Sequence, residues 1–218
     1  EIFKKLLKEE KLNYSLRFIF VPETIGAISY CANNEKAMKA IKFGFGVTTV
    51  GGPGQFGYKQ SYDAVHSINS AVEHVFAKSN IEYNKYPFDI HGSDERQYSS
   101  IGFRINTISI TRDKYYEYPY YHTSLDNLDF VNGKQISETL GLYLKTLEYV
   151  DMDVVFTNCN PNCEVMLSKH DLYPTTGGAQ IPKTNGRSEL DLRLWLLWHC
   201  DGCKGLAEIS KELNVNMS

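Results

Sequence analysis

The apolar and polar positions divide the chain into runs of helical and strand period. Residues 2–10 set Ile2, Phe3, Leu6 and Leu7 on one helix face. Ser15–Val21, SLRFIFV, is rich in branched and aromatic residues and predicts a largely buried strand, ended by Pro22 and Glu23. TIGAISYCANN, from Thr24 onward, reads as a helix or turn. Residues 40–50, AIKFGFGVTTV, predict a second strand, and GGPGQFG at 51–57 a loop. Residues 62–78 predict an amphipathic helix, because Val65, Ile68, Val72, Val75 and Phe76 recur at helical spacing. A polar stretch containing HGSDERQYSS (91–100) leads to a third strand at 101–110, IGFRINTISI. Residues 111–131 are irregular and crowded with tyrosine, and 134–150 predict a second long helix.

The pattern changes after residue 151. Asn, Pro and Gly become dense and helical period is lost, so an extended linker is expected at 154–186. It would join a first domain, 1–153, to a C-terminal piece, 187–218. In that piece RSELDLRLWLLWHC (187–200) is a helix with a broad apolar face of Leu190, Leu194, Trp195, Leu197 and Trp198. A turn at Asp201–Gly202 and a short helix at 204–215 follow. Helix, turn and short helix open a helix-turn-helix unit, here a partial one. In the first domain, strands alternate with helices. This predicts an α/β fold, a mixed sheet flanked by helices, with functional groups on loops at the carboxyl ends of strands. Glu23 falls at such an end, and Ser93–Arg96 and His122 fall in loops flanking a strand.

Composition narrows the function classes. The 218 residues are 42% hydrophobic and 22% charged, which suits a globular protein with a sizeable core. A net charge of −3 gives no electrostatic footprint for nucleic acid or an anionic membrane. The C-terminal helices are themselves acid-rich, which argues against phosphate contacts there. No apolar run is long enough to span a bilayer. Five cysteines, an odd number, favour a reducing, cytoplasmic setting. The N-terminus is a charged helix pattern without an initiator Met, so the chain is expected to begin inside a longer protein. Oligomeric state is open, a homo-oligomer included.

Several residues could carry chemistry. His122, in YYHTSLDNLDFV, offers an imidazole for a metal, with Asp126 and Asp129 nearby to orient it. Glu23, after a strand end, could act as a general base, or simply favour the dipole of a following helix. Asp94, Glu95 and Arg96 could supply a metal ligand and a guanidinium for a substrate carboxylate, or form a solvated turn. GGPGQFG has neither GK[ST] nor GxGxxG spacing, so a nucleotide site is excluded. Cys159, Cys163, Cys200 and Cys203 could together hold a structural zinc.

Five strings in order, RFIFVPETIGAI, GPGQFGYKQS, HGSDERQYSSIGF, YPYYHTSLDNLDFV and NCNPNCEVMLSKHDLYPTTGG, resemble the bacterial aminopeptidase-like family often found with polysaccharide-biosynthesis genes. Its members end in a winged-helix domain, and it is distantly similar to zinc aminopeptidases of phosphorylase/hydrolase-like fold. The resemblance implies Glu23 as general base, His122 as a zinc ligand, Asp94 as a ligand or its support, and Arg96 for a substrate carboxylate. Tyr120 or Tyr121 would donate to an oxyanion. Two positions depart from that pattern: Thr24 stands where a second acid is common, and Gly52 where the loop carries one. The family's first ligands lie upstream of Ser15, so one or two protein ligands of the usual three, and one zinc ion, are expected in this chain. The implied activity is hydrolysis of a peptide or amide bond by a metal-activated water. The alternative is a non-catalytic binding or regulatory protein on the same scaffold.

Overall fold

The computed structural model describes residues 12–173 and 188–216. The helix expected at 2–10 and residues 174–187 of the expected linker lie outside the described residues. The chain forms two compact units, Glu1–Val150 and Asp151–Ser218. Among the described residues, no helix is long and apolar enough to cross a membrane.

The first unit is built on a mixed sheet of four strands: β1 (Phe43–Phe45), β2 (Phe56–Lys59), β3 (Tyr83–Tyr86) and β4 (Asn106–Thr111), in the order β1-β4-β2-β3. β4 runs parallel to β1 and antiparallel to β2, and β3 runs parallel to β2. Every residue of β2 and β4 is buried, so both faces of these strands are covered. Strand alternation gives the faces opposite chemistry. Phe56, Tyr58, Ile108 and Ile110 join one core with Ile68, Val72, Val75 and Phe76 of helix α3 (Ser67–Lys78) and Leu142 and Tyr143 of helix α5 (Gly133–Met152). The alternate residues include Lys59, Thr107, Ser109 and Thr111, a buried polar layer. Tyr143 bridges layers: its hydroxyl accepts from Ile110 N at 2.9 Å and reaches Gly46 O at 2.9 Å.

Helices α1 (Ile25–Asn33) and α2 (Glu35–Met38) pack a second, smaller core of Cys31, Met38 and Ile105. The short helix α4 (Glu95–Tyr98) follows β3. The long helices stand where their periodicity puts them, with one shift. α3 begins at Ser67, and Val65 is outside it and 90% exposed. His66 is the N-cap, and its Nδ1 accepts from Ile68 N at 3.2 Å. That bond needs a neutral imidazole, and burial lowers the pKa of His66 against the opposing pull of Asp63.

Three strand expectations change. Ser15–Val21 pairs with no strand among the described residues: Phe20 is 91% exposed and only Ile19 packs against the second core. An apolar run becomes a strand only where an edge pairs with it. The glycine loop gives way to β2 at Phe56, because Gly57 fits a site where a Cβ would lie 2.7 Å from the Tyr86 ring. β3 arises in the polar stretch, as an edge strand with its middle residues exposed.

In the second unit, β5 (Val155–Thr157) pairs antiparallel with β6 (Asp201–Gly205). Asp201–Gly202, expected as a turn, therefore opens a strand, with Gly202 at φ +84°. Helix α6 (Glu189–His199) starts with a capping box of Ser188 and Asp191. Helix α7 (Leu206–Leu213) is anchored where Asp153 Oδ1 accepts from Ala207 N at 2.9 Å. The 155–157 part of the expected linker is thus structured. The described residues run helix, strand, helix here, with the strand standing where the turn was expected.

Candidate active site

A cavity of about 370 Å³ opens beyond the carboxyl ends of β1 and β4. One wall is Thr48–Gly52, which continues from β1, together with Gly92 and Ser93. The other is the tyrosine-rich run after β4, with Asp113, Tyr115, Tyr118, Tyr121, His122, Asp126 and Phe130. Glu23 lines the same cavity. Three expected residues, Glu23, Tyr121 and His122, therefore meet in one place although about a hundred residues separate the first from the others.

The glycine wall is held by directional bonds on three successive carbonyls. Val50 O accepts from Thr139 Oγ1 at 2.9 Å, Gly51 O from Asn132 N at 3.0 Å, and Gly52 O from Arg112 Nε at 3.3 Å. Arg112 also pairs with Glu138 at 2.7 Å and lies 4.2 Å from the Phe56 ring centroid. The carboxylate of Asp113 presses against the loop. A Cβ on Gly52 or on Gly54 would lie 2.0 Å from an Asp113 oxygen. Gly54 N donates to Asp113 Oδ2 at 3.2 Å.

The tyrosine wall is held by rings. Tyr121 stacks on His122 with centroids 4.0 Å apart, and Tyr118 on Phe130 at 5.4 Å. The Tyr118 hydroxyl donates to Asp126 Oδ2 at 2.7 Å; burial and this carboxylate raise its pKa. Burial raises the pKa of Tyr121 most, and Tyr116 and the Glu23 carboxylate add to the rise. Tyr120, the other expected donor, instead meets Phe130 edge-on and does not line the cavity.

Asp94 stands behind Glu23. Its Oδ1 accepts from Thr24 N at 2.7 Å, and its pKa is raised by burial with help from Glu23 and Glu95. It does not line the cavity, so its place is to hold the residue after Glu23. Arg96 is exposed and donates to Ile90 O at 3.3 Å; it also lies off the cavity, because its helical position turns it outward. Positive φ clusters here: Thr24 at 60°, Thr49 at 44° and His122 at 58°. For the β-branched threonines this is a strained conformation, of the kind that gathers at functional sites.

Sequence reading missed a buried ionic group behind Gly92 and Tyr115. Lys59 Nζ lies 2.9 Å from Glu95 Oε1 and 3.1 Å from Asp89 Oδ1, and also donates to His91 O. The Tyr115 hydroxyl donates to Glu95 Oε1 at 3.3 Å. Burial pulls the Lys59 ammonium down, but Tyr115 and Glu95 outweigh it and hold its pKa above the ordinary lysine value. The Tyr115 phenol is pushed up to about 12, chiefly by burial.

A zinc centre needs three or four donors converging on one point. His122 offers one, but among the described residues no three His, Cys, Asp or Glu side chains are grouped to hold an ion. The donors present among the described residues do not complete a zinc site. Among the described residues the four C-terminal cysteines form no such group either.

Fold and site together define a peptidase-like α/β scaffold. The chain belongs to the DUF4910 family, described as a domain of unknown function, whose model matches residues 1–153. Over 94% of its length it is 34% identical to a Clostridium acetobutylicum protein provisionally named a polysaccharide biosynthesis protein with aminopeptidase-like domain, of which it covers 46%. It is also similar to a crystal structure from the same organism provisionally named a peptidase. The TM-score is 0.73 at 32% identity, over 99% of this chain and 47% of that one. The chain thus spans about half the length of these relatives. The aminopeptidase from Aneurinibacillus sp. strain AM-1 aligns at a TM-score of 0.45 and 18% identity, over 58% of this chain and 30% of that one, too weakly to carry an argument.

Proposed function

We propose that this chain carries the base-bearing part of an aminopeptidase-like hydrolase site. The observation behind this reading is the meeting of Glu23, Tyr121 and His122 on one cavity. Glu23 takes the proton of a water attacking a peptide or amide carbonyl and passes it to the leaving amine. Tyr121 donates to the developing oxyanion. Asp94 holds the Thr24 amide and so fixes where Glu23 stands. Zinc belongs to this reading with His122 as its nitrogen donor, and its remaining donors would have to come from outside the described residues.

The charged lining consists of Glu23, Asp113, Asp126 and His122, with no Lys or Arg among the described residues. The end of the substrate held here is therefore neutral or positively charged, an amine rather than a carboxylate, and a carboxylate bound by Arg96 would lie outside this cavity. All five cysteines are unpaired, in keeping with a cytoplasmic setting. A link to polysaccharide biosynthesis and a C-terminal winged helix remain parts of this proposal that rest on resemblance.

A second reading, a binding protein on a peptidase scaffold, is favoured by Thr24 and Gly52 and by the missing donor group. Both are tested on the complete gene product, with its zinc content measured and a panel of aminoacyl 4-nitroanilides as substrates. Glu23→Gln should cut kcat by about 10²-fold or more while substrate binding persists. Unchanged turnover would sink the role of Glu23. Saturable binding without turnover in the unmodified protein would establish the second reading.

A further inference from the structure

We propose that Lys59 is a positioning residue: it staples the 89–95 segment to β2 and, through Asp94, sets the position of Glu23. Only the last link rests on the catalytic reading above.

Lys59 projects from the polar face of β2 and is 4% exposed. An ammonium has three donors, and here each finds an acceptor on the same short segment: Asp89 Oδ1, His91 O and Glu95 Oε1. The backbone lies directly on this group, since a Cβ on Gly92 would fall 2.1 Å from Glu95 Oε1 and 2.5 Å from Lys59 Nζ. Asp94, next to Glu95, grips the Thr24 amide. Thr24 holds φ 60°, a conformation that persists only when its surroundings enforce it. One path of bonds therefore runs from β2 to the residue beside the base.

The network is poorly suited to stability alone. Glu95 is 1% exposed, yet its Oε2 has no hydrogen-bond partner. A buried ion pair can often be replaced by well-packed apolar residues without loss of stability. What such a replacement cannot reproduce is the grip on His91 O and Asp89.

The test uses the complete gene product and amide hydrogen exchange read by peptide. Lys59→Met alone strands the Glu95 charge and is a poor folder, so the decisive variant is Lys59→Met/Glu95→Met. Its thermal midpoint should stay near that of the unmodified protein. Exchange in 88–96 and 22–26 should rise about tenfold or more, while α3 and α5 keep their protection. Asp94→Ala should raise exchange in 22–26 and leave 88–96 unchanged. Where turnover is measurable, the double variant should lose kcat by about tenfold with little change in KM. Unaltered exchange in 22–26 in the double variant would overturn the proposal. Raised exchange in both segments with kcat intact would leave the staple standing and remove Glu23 as base.

Discussion

The two walls of the cavity are built by different physics. The glycine wall carries small side chains, and three of its carbonyls are tied to Thr139 of α5, to Asn132 just before it and to Arg112, while its flank at 89–95 is tied to Lys59. The tyrosine wall carries large side chains on irregular backbone, held mainly by ring contacts and by hydroxyl bonds such as Tyr118 to Asp126 and Tyr115 to Glu95. Directional bonds fix a backbone in place; ring stacking allows sliding. The glycine wall therefore serves as the fixed reference for the site, and the tyrosine wall as the part able to adapt to a ligand.

The largest effect should come from Gly51→Val. A Cβ there would fall 2.5 Å from Val131 Cγ1 and 2.9 Å from Ile136, joining the walls by a clash. Overpacking of this kind should cost about 1–3 kcal/mol in urea unfolding. An unchanged midpoint would mean that the glycine wall yields. Alkaline pH should act next, on the buried ion pair behind the glycine wall, which Tyr115 reaches from the tyrosine wall through its bond to Glu95. Unfolded tyrosine loses its proton near pH 10, whereas folded Tyr115 keeps its proton to about pH 12. The folded state then binds more protons, so this contribution is whole below pH 10 and drains away as pH rises to about 12. Tyr115→Phe should flatten part of that fall in a melting series, and an identical slope would refute the assignment. The smallest effect belongs to the other wall: Tyr118→Phe should cost below about 1 kcal/mol. It should alter ligand selectivity more than stability, and a larger stability loss would erase the contrast between the walls.

How much of this was readable from sequence depended on range. α3 and α5 declare themselves because their apolar residues recur over several turns, and β4 because Ile108 and Ile110 alternate with small polar residues. β2 was hidden: FGYK has a glycine and a lysine and no branched residue, and each makes sense only beside Tyr86 and Glu95. SLRFIFV differs in the opposite way, with strand chemistry but no strand pairing among the described residues. In the site, Glu23, Tyr121 and His122 were found through motif resemblance, which spacing alone could not supply. Arg96 stands off the cavity because three adjacent charges read alike in sequence while a helical turn points them in different directions. Arg112, Asp113 and Lys59 left no local signal, since their partners lie 26 to 60 residues away.

The strand order β1-β4-β2-β3 places the last-made strand of the first unit's sheet between two earlier ones. During synthesis, β1 and the β2–β3 pair emerge with open edges that cannot join until β4 slots between them. Non-local closure of this kind is slow, and open edges are where chains associate. Yield in expression should therefore track how quickly residues 106–111 find their place, and a mutation that weakens β4 would show first as aggregation of the nascent chain rather than as a lower melting temperature.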